Sequence, residues 1–226
     1  LIKILKNKLK MYFHKSHKAL IWAFPCMLWR KETAEKEIFL TFDDGPIPEV
    51  TEFVLETLAE YQAQATFFCV GDNIAKHPAI FEKVVRAGHT LANHTFHHLN
   101  GWQTQTPTYW ENVENCTKII QKKTTTILPE RAVPAVRYFR PPYGKMTPAQ
   151  VKTIAPHYQI VMWDVLTGDF DAQLSPQTCL QVALEKTESG SIVTFHDSLK
   201  ARRNLEHVLP LFLRHFQQQG YLFSKL

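Results

Sequence analysis

With 226 residues, an apolar share of 45%, 12% aromatics, 8 Gly and 13 scattered Pro, the chain has the composition of one packed globular domain, which excludes collagen-like and broadly disordered classes. The formal charge of +5 misleads, because residues 1–31 hold 8 of the 26 Lys and Arg and no acid, leaving 18 bases against 21 acids in the rest. A nucleic-acid-binding protein spreads cations over a folded face, so no nucleic-acid partner is expected.

The chain opens on a basic and apolar arm, residues 1–34, ahead of a domain over 35–226. In the first ten residues Leu1, Leu5 and Leu9 share a helical face among lysines, the pattern of a weak membrane-surface helix; the simpler reading is an extension upstream of a start at Met11. Ala19 to Trp29 is apolar, but Pro25 interrupts it, no small-residue cleavage site follows, and it is too short to span a bilayer. It is expected to pack on the outside of the domain.

Glu37 to Phe42 then reads as a strand and Glu49 to Tyr61 as a helix, with Val50, Phe53, Val54, Leu55 and Leu58 at helical spacing. The alternation continues through a strand at Ala65 to Val70, a helix at Pro78 to Ala87 and a strand at Thr90 to Asn93. A helix around Thr108 to Lys122, the pair Tyr138-Phe139, a helix near Thr147 to Ile154 and a buried strand at Gln159 to Trp163 follow. Ser175-Pro176 opens a further helix, Ser as N-cap and Pro at the first helical position. Ser191 to Phe195, a helix from Asn204 to Gln219 closed by Gly220, and Tyr221 to Phe223 complete the chain. Alternating strands and helices imply a parallel sheet with helices outside. Six or seven such units favour a closed or nearly closed barrel over a doubly wound sheet, since no Gly-rich phosphate loop follows the first strand. The widely spaced Cys26, Cys69, Cys116 and Cys179 suit buried free thiols in a reducing compartment, so a cytoplasmic location is expected.

Reactive residues recur at strand ends: Asp43-Asp44 after the first strand, His94 after Thr90 to Asn93, Arg140 after Tyr138-Phe139, Asp164 and Asp169 after Gln159 to Trp163, and His196 after the strand at 191–195. In an α/β barrel these ends converge on one face. His94 and His98, four apart, would point the same way on a helical turn and share a metal. Asp44 supplies a third ligand, as catalytic zinc commonly takes three protein ligands and keeps a position for water. Asp43, its neighbour, is then placed as a general base.

These residues resemble the polysaccharide deacetylase family with the NodB homology domain, carbohydrate esterase family 4. Thr41-Phe-Asp-Asp-Gly-Pro46, His94-Thr-Phe-His-His98, Arg140-Pro-Pro-Tyr-Gly144, Asp169-Phe170 and Thr194-Phe-His196 match its five motifs in order, over roughly residues 35 to 226. The resemblance implies a single-domain α/β fold, a distorted, TIM-like (β/α)₇ barrel, that removes acetyl groups from an N-acetylated glycan. It implies Asp43 as base, Asp44, His94 and His98 as ligands of a divalent metal (zinc first, cobalt or nickel as alternatives), and His196 as general acid. Within that scheme Arg140 would orient Asp43, Asp169 would hold the His196 ring, and the backbone N–H of Tyr143 would face the oxyanion. Tyr143, Phe170 and Trp163 would wall the sugar pocket. Phe170 and Thr194 depart from the Trp and Leu common in the family, which bears on substrate shape. Two other readings stay open: hydrolysis of a lipid-linked glycan or small cyclic amide on the same scaffold, and a non-catalytic glycan-binding module.

Overall fold

The computed structural model describes residues 13–130, 132 and 134–226; the lysine-rich first ten residues, with their expected surface helix, lie outside them. In chain order the elements are α1 (Lys18–Ala23), β1 (Glu37–Asp43), α2 (Val50–Glu60), β2 (Thr66–Cys69), α3 (Gly71–Lys76), α4 (Pro78–Arg86), β3 (Thr90–Asn93), α5 (Thr106–Ile127), β4 (Tyr138–Phe139), α6 (Pro148–Ile154), β5 (Gln159–Ile160), β6 (Val165–Leu166), α7 (Pro176–Lys186), β7 (Ile192–His196), α8 (Arg202–Gln218) and β8 (Leu222–Ser224). Helix starts follow local chemistry. Thr147 and Gln150 form a reciprocal capping box before α6, and the Ser175 hydroxyl accepts from the Thr178 amide with Pro176 in the first turn of α7. The short α1 and α3, six residues each, have too few turns to show a periodicity and are not legible in the sequence.

The sheet is parallel, in the order β5-β4-β3-β2-β1-β7-β6, and β8 pairs with the first half of β1. β5 and β6 are opposite edges of this order yet only residues 161–164 separate them. Gln159 pairs with Tyr138 of β4, and Val165 with Val193 of β7, so one extended segment bridges both edges and curls the sheet into the expected distorted barrel. The arm completes the seam. Leu166 N–H donates to the His14 carbonyl (2.9 Å), Leu28 N–H to the Ile160 carbonyl (2.8 Å) and Lys31 N–H to the Gly190 carbonyl (2.9 Å). Residues 14–16 and 28–31 are therefore hydrogen-bonded into the barrel wall.

Four expectations are corrected. The strand read as Gln159 to Trp163 ends early as a sheet strand, because after Ile160 the chain leaves β4: Val161 pairs with Leu28 of the arm, and pairing with β7 begins only at Val165. Asp164 in consequence sits at the start of β7, where its carboxylate accepts from Ser191 Oγ (2.6 Å) and pairs with Lys15 (2.7 Å), at the end of the barrel opposite His196. The apolar arm is only partly packed: Trp29 is buried, whereas Leu20, Trp22 and Phe24 are exposed. Cys69, Cys116 and Cys179 are buried free thiols as expected, but Cys26, in the same arm, is exposed.

Alternation along β1 separates the two sides of its wall. Ile38, Leu40 and Phe42 face the helices in the main core, with Val54, Leu58, Leu205 and Phe212. Phe39 points inward with Phe68, Val161 and Ile192. Thr41 and Asp43, on the inward side further along, are polar and buried. The barrel interior thus changes from apolar to polar towards the carboxyl ends of its strands.

Candidate active site and metal-binding cleft

The polar end is built around Arg140, a fully buried side chain at the end of β4. Its guanidinium donates to Asp43 Oδ1 (2.6 Å), Thr41 Oγ1 (2.9 Å) and the Met162 carbonyl (2.8 Å), and lies 4.1 Å from the Phe68 ring centroid. A buried guanidinium needs this many acceptors, since an unpaired charge in such surroundings is costly. Asp43 is held from the strand side as well: it is in register with His196 of β7, so the carboxylate and the imidazole project from adjacent strands at one level.

After Asp43 the chain turns sharply. Asp44 adopts φ 83, its carbonyl accepts from Asn73 Nδ2 (2.7 Å), and the Gly45 amide donates to Asp197 Oδ1 (2.9 Å). A Cβ on Gly45 would lie 1.9 Å from Asp197 Oδ2, which is why only glycine serves there. Burial pushes the Asp197 carboxyl up to about 8, with Asp44's charge adding, against the lowering effect of hydrogen bonds from Thr51 and Gly45.

His94 and His98 do come together, but not on a helical turn. Residues 94–98 form a loop in which Thr95 and His98 have φ 65 and 53. The loop is pinned by Asn93 Oδ1, which accepts from the Thr95 amide (2.8 Å), and by Asn112 Oδ1, which accepts from those of Phe96 and His97 (2.8 and 2.9 Å). These side-chain acceptors offer the backbone an alternative to the helical ladder. The two imidazole centroids are 5.0 Å apart, and one ligand atom from each of Asp44, His94 and His98 falls within 4.8 Å of the others.

The donors fit a divalent cation on tautomer grounds. His94 Nδ1 donates to the Arg140 carbonyl (2.8 Å), leaving the Nε2 lone pair for a ligand, the usual outer support of a metal-binding imidazole. Burial lowers the His94 pKa to about 4, so the ring is neutral at pH 7. His98 Nδ1 is 3.2 Å from the Tyr143 hydroxyl, and its Nε2 is 3.2 Å from Asp44 Oδ1. Burial works against ionisation of Asp44, yet the His98 hydrogen bond and the charges of His196, His94 and His98 outweigh it and hold the carboxyl well below the usual range.

Opposite this group, His196 Nδ1 donates to Asp169 Oδ1 (2.8 Å) and the His196 amide to Asp169 Oδ2 (2.7 Å). Burial disfavours a charged His196, but the Asp169 carboxylate overcomes it, helped by Asp44 and Asp43, and the pKa rises to about 9. Phe170 lies 4.8 Å from the His196 ring, and Tyr143, 60% exposed and at φ 61, lies 4.7 Å from the His98 ring. Trp163 is placed differently from the other two aromatics: it supports the turn that carries Tyr143, and a Cβ on Gly144 would be 2.6 Å from its ring.

Sequence reasoning missed Asp197, Asn73 and Trp102. Asp197 follows His196 directly and could have been flagged as an acid at a strand end. Asn73 belongs to the illegible α3. Trp102, 65% exposed with its indole N–H donating to the Met146 carbonyl (3.0 Å), lies in a stretch readable only as a loop.

A cluster of donors suited to a cation, between a paired carboxylate and a paired imidazole at the carboxyl rim of a parallel barrel, is the arrangement of a hydrolytic site. Comparison with known proteins agrees. The polysaccharide deacetylase family profile matches residues 30–162. A peptidoglycan-N-acetylglucosamine deacetylase of Bacillus cereus is 33% identical over 197 residues, covering 86% of this chain and 88% of that protein. A chitooligosaccharide deacetylase of Bradyrhizobium is 31% identical over 163 residues, 72% of this chain and 71% of that protein. The crystal structure of a peptidoglycan N-acetylglucosamine deacetylase with 4-naphthalen-1-yl-N-oxidanyl-benzamide superposes with a TM-score of 0.81 at 26% identity, covering 91% of this chain and 94% of that one. The chain belongs to the polysaccharide deacetylase family.

Proposed function

We propose that this protein hydrolyses the N-acetyl group of N-acetylglucosamine units in a glycan, of the peptidoglycan or chitooligosaccharide kind, and releases acetate. The observation that carries the reading is the pairing of two separately supported groups, Asp43 on Arg140 and His196 on Asp169, on either side of the Asp44, His94 and His98 donors. A divalent cation held by those three residues, zinc before cobalt or nickel, would polarise the acetamide carbonyl and acidify a water molecule.

The chain's own groups then divide the proton work. Asp43 takes the proton of the attacking water, its carboxylate fixed by the Arg140 fork. The Tyr143 backbone N–H donates to the oxyanion that develops on the acetamide oxygen, a contribution of about 3 kcal/mol for a well-aimed donor. His196, with Nδ1 engaged by Asp169, presents Nε2–H to the leaving amine, so the C–N bond breaks towards a neutral product. Phe170 and Tyr143 offer faces for a sugar ring.

The test is acetate release from N-acetylglucosamine oligomers and peptidoglycan fragments after chelation and after restoration of metal. Acetate should appear with metal restored and fall to background without it. No acetate from either substrate under restored metal would refute the reading, and formate or a ring-opened amide product would favour hydrolysis of a different amide.

A further inference from the structure

Among the described residues, the exposed large hydrophobic side chains are Tyr143 beside His98, the scattered Trp102, Leu199 and Leu222, and four within one twelve-residue excursion: Phe13 (55% exposed), Leu20 (38%), Trp22 (84%) and Phe24 (44%). Tyr143 belongs to the cleft already described. The excursion belongs to no part of the site.

Its core, α1, buries none of its residues. A six-residue helix has no stability of its own in water, and this one is held by what flanks it. His14 and Ser16 are hydrogen-bonded along 164–166, Leu28 is paired with Val161, and Ile21 and Met27 pack against the core. The barrel seam therefore presents a fixed apolar projection to the outside. Several exposed large apolar side chains gathered in one short segment mark a candidate interaction site.

Charge selects the partner. Residues 1–31 contain no acid. Lys15 and Arg30 are occupied by Asp164 and Glu188, but exposed Lys18 stands on α1 itself, and the twelve residues ahead of Phe13 carry Lys3, Lys6, Lys8 and Lys10. Tryptophan and phenylalanine beside lysines, without acids, are complementary to the headgroup region of an anionic bilayer. No helix among the described residues is long and apolar enough to cross a membrane, so the contact is a seat on the surface. We propose that residues 13–24 dock the protein on an anionic lipid surface. This is independent of the deacetylase reading.

The experiment is co-sedimentation of the full chain with phosphatidylcholine vesicles and with vesicles containing one part phosphatidylglycerol to two of phosphatidylcholine. Binding to the anionic vesicles should exceed that to the neutral ones at least tenfold and weaken with added salt. The double variant Trp22→Ser/Phe24→Ser should lose at least tenfold of the anionic-vesicle binding while keeping its circular dichroism and its activity on a soluble oligosaccharide. Phe13→Ser/Leu20→Ser, a second pair on the same excursion, should weaken binding in the same direction. Equal binding to both vesicle types would overturn the proposal, as would full binding by both double variants. So would sedimentation velocity showing a dimer that Trp22→Ser/Phe24→Ser converts to monomers, because the patch would then belong to a second copy of the chain.

Discussion

Replacing Asp169 by Asn changes one charge in a geometry that is otherwise nearly isosteric. The native carboxylate accepts from His196 Nδ1 and from the His196 and Phe170 amides, and an asparagine has one oxygen for these donors and a new N–H facing one of them. The His196 pKa of about 9, against an ordinary 6.5, corresponds to about 3 kcal/mol at roughly 1.4 kcal/mol per unit. That stabilisation is fully present below the unfolded-state pKa and is lost as pH rises through about 9. Without the carboxylate, burial prevails and the imidazole deprotonates at or below its ordinary pKa. The basic limb of kcat/KM, which reports a protonated general acid, should move down by at least about 2 pH units. At pH 8.5 the variant should be at least about 80-fold slower than the parent, with the gap narrowing towards pH 6. The assay is acetate release across pH 5.5 to 9.5, accompanied by NMR titration of His196 in both proteins. An unmoved basic limb, or a His196 midpoint still near 9, would refute the reasoning.

Arg140→Met should strand the buried Asp43 carboxylate and cost about 3–5 kcal/mol of stability, read as a lowered urea midpoint at pH 7; a loss under 1 kcal/mol would mean that Asp43 finds another partner. His94→Ala should reduce bound metal, measured by mass spectrometry after dialysis against zinc, from about one per chain to a small fraction while the circular dichroism is kept; full metal retention would remove His94 from the ligand set. Asp197→Asn keeps an acceptor for Gly45 and places an amide N–H against the Thr51 hydroxyl, which can rotate to accept. Because the folded Asp197 pKa is raised to about 8 from 3.8, the native state of the parent binds a proton that the unfolded chain has released, and its stability should fall as pH rises from 4 to 8. In chelated protein the variant should show a flatter dependence of urea midpoint on pH, and parallel curves for the two would count against a protonated Asp197.

The strand ends were legible because each pairs a short apolar run with a reactive side chain at its close, and the fold turns that regularity into convergence. Asp43, Asp44, His94, Arg140, Asp169 and His196 all reach the polar end for that reason. Asp164 shows the limit: it also follows an apolar run, but that run changes partners midway, and strand exchange leaves no mark in hydrophobic periodicity. The His94 and His98 pair shows another. Its spacing suggested a helical turn, whereas the acceptors that bend the loop, Asn93 and Asn112, lie before and well after it in sequence, so the ligands meet through tertiary hydrogen bonds. The role of Lys15, Leu28 and Arg30 in the wall was hidden because single bridges to Val165, Val161 and Ser191 are too short to give a strand signal.

Arg140 touches both halves of the chemistry with different parts of one residue. Its carbonyl accepts from His94, and its guanidinium, a few bonds away, donates to Asp43. One residue therefore fixes both His94 and Asp43, so a change in the backbone or side chain at the β4 end reaches both at once. The two sides of the cleft share a single fastening, as two jaws do when both are mounted on one bar.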